Sequence, residues 1–94
     1  MTTFKFECED RYEAEKLASL SSVEKDSSIW IAGVSAIVGS EVVLQLKDRS
    51  SHAILLKDAE EARRLNRLLT DIVAGKKKIL SSSFSGSAAE IHVD

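Results

Sequence analysis

Apolar positions recur along the chain with two different periods, and the switches between them divide it into elements. Over residues 3–8, Phe4, Phe6 and Cys8 alternate with Lys5 and Glu7, the period of a half-buried strand. Asp10 then stands three positions before Glu13, a capping-box spacing with aspartate as the cap. Behind it Ala14, Leu17, Ala18 and Leu20 form a stripe at helical spacing, which leaves Glu13, Glu15 and Lys16 expected on the solvent side. That helix is expected to fray at residues 21–22, and residues 24–28 (EKDSS) read as a polar turn.

Residues 28–38 are the most apolar part of the chain. Read as a strand, they send Ile29, Ile31 and Ile37 to one face and Trp30, Ala32, Val34, Ala36 and Val38 to the other, so that both faces are apolar. Gly33 inside the run predicts a bulge or bend. A buried helix is the competing reading, but the Ile, Val and Trp content favours a strand. A turn at Gly39 and Ser40 leads into Val42, Leu44 and Leu46, alternating with Val43, Gln45 and Lys47. The polar residues 48–51 read as a short loop, and residues 52–57 return as a strand, giving a three-stranded antiparallel meander over 28–57.

The second helix has the strongest pattern. Asp58 caps it, with Glu61 three positions on, and Ala62, Leu65, Leu68, Leu69, Ile72 and Val73 mark its core face. Glu60 with Arg64, and Arg67 with Asp71, are spaced for ion pairs one turn apart. Acidic residues at the start and Lys76, Lys77 and Lys78 beyond the end complement the helix dipole, and Gly75 suits the position just past the last turn. A terminal hairpin around Ser85, Gly86 and Ser87 is expected to close the chain, with Ile91 and Val93 alternating against Glu90 and His92.

Laying residues 4–20 over 52–68 matches Asp10 with Asp58, Glu13 with Glu61, Ala14 with Ala62, Leu17 with Leu65 and Leu20 with Leu68. Gly39-Ser40 then faces Gly86-Ser87. The chain is therefore a single domain, 1–94, in which residues 1–48 and 49–94 are candidate βαββ repeats. Convergence of two capped strand–helix junctions on the same few residues is the plain alternative. Either way the expected class is α+β, a two-layer sandwich with a mostly antiparallel sheet and two helices on one face, in the order βαβββαββ.

Composition narrows the function classes. With 13 basic and 15 acidic residues the net charge is −2, too balanced to point to nucleic acid. The single cysteine excludes an intramolecular disulfide and fits a reducing, cytoplasmic setting. The first sixteen residues are rich in charge and have no apolar core of a signal peptide, and no stretch is long enough to span a membrane.

The chemistry-bearing residues are scattered. His52 and His92 have no partner at metal-ligand spacing, so no metal is expected, and Cys8 reads as a buried thiol. Neither a P-loop nor a G-x-G-x-x-G occurs, and the serine cluster at 81–87 lacks a nucleophile elbow, so neither cofactor nor catalysis is expected. The expectation is a non-catalytic protein-binding or regulatory module, homodimeric, that occupies a partner's surface through Trp30, Ala32, Val34, Ala36 and Val38. Size and class alone would also suit a phage-type inhibitor such as an anti-CRISPR, although no motif carries a resemblance to any family. The alternative is a nucleic-acid contact through Arg63, Arg64, Arg67, Lys76, Lys77 and Lys78, against which Glu60, Glu61 and Asp71 share the same surface.

Overall fold

Each of the two helices begins on an aspartate whose carboxylate takes up an otherwise unpaired amide. Asp10 Oδ1 accepts Glu13 N–H at 2.9 Å, and Asp58 Oδ1 accepts Glu61 N–H at the same distance. The computed structural model describes residues 2–22, 31–34 and 38–94. In it the chain runs β1 (Thr2–Glu7), α1 (Arg11–Ser22), β2 (Ile31–Val34), β3 (Glu41–Leu46), β4 (Ser51–Leu55), α2 (Ala59–Val73), β5 (Ile79–Ser85) and β6 (Ala88–Val93). The α+β class, the order βαβββαββ and the antiparallel pairing all stand as the sequence pattern implies.

The strands divide into two three-stranded sheets, β1-β6-β5 and β2-β3-β4. Among the described residues their backbones join where β1 and β4 end. There Cys8 bridges Leu56, Glu9 N–H donates to Leu55 O at 3.0 Å and Lys57 N–H donates to Glu7 O at 2.9 Å. The ladder stops at that point because Asp10 and Asp58 turn both chains into helices. α1 packs on β5 and β6, and α2 packs on β2 and β3. Between them lies an aliphatic core with Phe6, Leu17, Leu44, Ile54, Leu65 and Ile91 fully buried. Burying one such side chain contributes about 2 kcal/mol.

The same contacts recur about 48 residues apart. Cys8 N–H donates to Ser87 O, and Leu56 N–H donates to Ser40 O, both at 2.8 Å. The β2–β3 ladder slips between Ile31 and Gly33, and the β5–β6 ladder slips between Ile79 and Ser81. Each hairpin turns on a left-handed glycine, Gly39 (φ 63°) and Gly86 (φ 59°). The strand after α1 thus repeats the bulge of the strand after α2.

Three expectations change in detail. The bulge resets the alternation in β2: Ile31 pairs with Leu46 and Val34 with Leu44, so both face the core across the slip. Residues 28–30 and 35–37 of the expected strand, and the expected polar turn over 24–28, lie outside the described residues. Glu13, expected in solvent, is only 6 % exposed, because its Oε1 accepts Leu55 N–H at 2.9 Å. Glu61 Oε2 likewise accepts Glu7 N–H at 3.2 Å. In both caps the glutamate that would reach back to its own helix instead caps the end of a strand from the other half of the chain. Finally, Arg64 pairs with Glu61 (2.8 Å) rather than Glu60, and Asp71 pairs with Lys77 (3.3 Å) rather than Arg67. Arg64 is held toward β1 by Lys5 O (3.2 Å) and the Phe6 ring (5.1 Å to its centre).

Candidate functional site

Of the five residues expected to form an interaction strip, Ala32 is exposed, Val34 is half-buried against the core, and Val38 is 79 % exposed. Val38 pairs with Glu41, which pairs in turn with Leu55, so its side chain lies on the outer face of β2-β3-β4. Trp30 and Ala36 lie outside the described residues. The structure therefore separates Val34 from Val38 instead of aligning them.

The basic residues fall into two groups. Arg64 and Lys77 are engaged: besides its ion pair, Lys77 sits 5.8 Å from the Phe4 ring centre. Arg63, Arg67, Lys76 and Lys78 form no ion pair among the described residues, and Arg63, Arg67, Lys76 and Lys78 are all exposed. Arg64, Arg67 and Lys77 line a small cavity of about 130 Å³ floored by Phe4 and Leu68, with Asp71 on its rim. That volume is well below the roughly 300 Å³ at which ligand pockets begin.

Cys8 is buried beside Phe6, and desolvation, reinforced by the nearby Glu13 carboxylate, pushes its thiol from the usual 9.0 up to about 12. It is a thiol, not a thiolate, at neutral pH, the opposite of an activated nucleophile. His52 belongs to a small relay that sequence spacing did not suggest. Ser50 Oγ lies within hydrogen-bond distance of Asp48 Oδ1 and 3.0 Å from His52 Nε2. Asp48 is held below the usual carboxylate range, first by the Ser50 hydroxyl and then by the Ser50 amide. An ionised carboxylate only accepts, so the single hydroxyl proton of Ser50 goes to Asp48 and His52 Nε2 must itself donate. The order is Asp–Ser–His, and the histidine has no vacancy to take the serine proton, so Ser50 is not set up as a nucleophile. His92 pairs with Thr3 Oγ1 through Nδ1 at 2.8 Å. No group of three metal-ligating side chains occurs among the described residues, and no helix among them is long and apolar enough to cross a membrane.

β5 stands out. Its sequence, ILSSSFS, contains no charge and no proline over seven residues. It pairs with β6 on one side, and no other strand among the described residues pairs with its far edge. Ser81, Ser83 and Ser85 are exposed on the outer face, and Leu80 is 51 % exposed. On the inner side Ser82 and Phe84 line a groove against Ala18 and Ser19 of α1, and Ser82 Oγ is buried with no hydrogen-bond partner among the described residues. Edge strands in monomeric proteins are usually guarded by lysine, proline or inward charge. The bulge after Ile79 is the guard present within β5, at one end only. Its patterning was readable as a strand, but its edge position comes from topology. No protein-family model, no curated protein and no solved structure matches the chain.

Proposed function

We propose that the chain is a non-catalytic, regulatory protein-binding module that works in a reducing cytoplasm and self-associates through the free edge of β5. The observation that carries this reading is the seven-residue uncharged edge. A second copy of the same strand suits it: two copies aligned antiparallel about a two-fold axis place no like charges opposite each other and satisfy each other's open amides and carbonyls. The buried, protonated Cys8 and the proton order around Ser50 are consistent with a role other than catalysis.

Sedimentation of the purified chain at high micromolar concentration tests the reading. The wild type should sediment as a dimer, and Ser83→Lys, which brings an ammonium group from each copy close to the two-fold on the shared edge, should return it to a monomer. A wild type that stays monomeric at that concentration contradicts it. Arg63 and Arg67, exposed and without ion pairs among the described residues, favour a nucleic-acid contact as the second reading. Binding to nucleic acid that weakens steeply with salt and is lost in the Arg63→Ala/Arg67→Ala double variant would establish that one instead.

A further inference from the structure

We infer that the chain is two equivalent βαββ units, residues 1–48 and 49–94, fused at the turn over residues 47–50, and that the surface each unit shows the other also accepts that unit from a second copy, so that two chains can exchange halves.

Most of the architecture lies between the units rather than inside them. β1 of the first unit pairs with β6 of the second, and β4 of the second pairs with β3 of the first. α1 packs on the hairpin of the second unit, and α2 on the hairpin of the first. Within a unit the strand pairing is confined to its own hairpin, β2–β3 or β5–β6. The crossing is reciprocal at the level of single hydrogen bonds: Glu13 accepts Leu55 N–H, and Glu61 accepts Glu7 N–H. Cys8 and Leu56, equivalent by the 48-residue spacing, pair with each other, as residues on a two-fold axis must. The first and last strands follow the same symmetry: Thr2 of β1 pairs with Val93 of β6 as Ser51 of β4 pairs with Gln45 of β3.

The turn is the one covalent tie between the units, and it is a strained hinge. Arg49 holds a left-handed conformation, φ 72°, which a residue other than glycine adopts only under strain. Opening the hairpin turns β3 and β4 into one continuous strand. That strand pairs antiparallel with its copy in a second chain, re-forming every inter-unit contact while releasing the strain.

Deleting residues 48–50 tests this in the full chain. β3 can then no longer fold back on β4 of the same chain, and with Ser83→Lys also present to close the β5 edge the protein should elute at twice the chain mass with its circular dichroism unchanged. A folded monomer would overturn the inference. Should the variant not fold, a chain carrying a protease site in the turn decides. After cleavage its two halves should stay together as one species of the original mass and spectrum, and separation or loss of structure on cleavage would overturn the inference. The exchanged dimer does not use the β5 edge, so it should survive Ser83→Lys, which keeps the failure of either idea distinguishable from failure of the other.

Discussion

The sheet β1-β6-β5 and the sheet β2-β3-β4 share connectivity, register and bulge, yet their surfaces differ. Where β4 carries Ala53 and β3 carries Val43 on the outer face, the first sheet carries Lys5 and Glu90. Where β2 turns Val34 into the core, β5 turns in Ser82, whose hydroxyl finds no partner among the described residues. What the two share is what the fold requires, namely the caps, the crossing glutamates and the buried aliphatic residues. What they do not share is free to serve another purpose, and the serine-rich β5 edge is the largest such difference.

The comparison breaks most visibly in the core. Phe6 and Ile54 occupy equivalent, fully buried positions. Phe6→Ala and Ile54→Ala should each cost about 3–4 kcal/mol in urea denaturation, with a single transition in both cases. Two separated transitions in either variant would mean that the sheets fold independently. Next come the crossing carboxylates. Glu13→Ala and Glu61→Ala each orphan a strand amide and should cost about 1–3 kcal/mol, with Glu13 the larger because its side chain is the more buried, 8 % against 19 % exposed. Equal costs, or a larger loss at Glu61, would sink that ranking.

Copying one sheet onto the other should sharpen the contrast. Ser82→Val gives β5 the residue β2 has at Val34, removes a buried hydroxyl that has no partner among the described residues and should stabilise by about 1 kcal/mol, seen as a higher urea midpoint at unchanged slope. The last expected effect is absent at neutral pH and appears only as a slope in alkaline solution. Cys8 titrates near 9.0 when unfolded and near 12 when folded, so the unfolded state loses its proton first as pH rises. The stability contributed by keeping this thiol neutral is therefore present below pH 9 and lost progressively between 9 and 12. Cys8→Ala should flatten that decline relative to the wild type, and an identical decline in both would assign it to other groups.

Much of the framework was legible because local chemistry dictated it. Asp10 and Asp58 announced both helices, and Phe4, Phe6 and Cys8 announced β1. The fate of the two capping glutamates was not legible, because the amides they accept come from strands 42 and 54 residues away in sequence. The face of Val34 was misplaced for a related reason: a bulge shifts every later residue by one, and Gly33 signals a bulge without saying where the slip falls. The terminal hairpin around Ser85, Gly86 and Ser87 was legible, but nothing in ILSSSFS reveals that α1 and β6 would hold its first strand at an edge. Candidate sites suffered most, because exposure at a sheet edge is decided by strand order, and strand order here joins the two ends of the chain.

Hydrogen exchange followed across protein concentration tests the proposed edge most directly. If β5 pairs with a second copy, amides of β5 should gain protection between low and high micromolar chain, while those of the equivalent edge β2 should not change. Ser83→Lys should abolish the gain. Protection in β5 that is independent of concentration, or that rises equally in β2, would contradict the account.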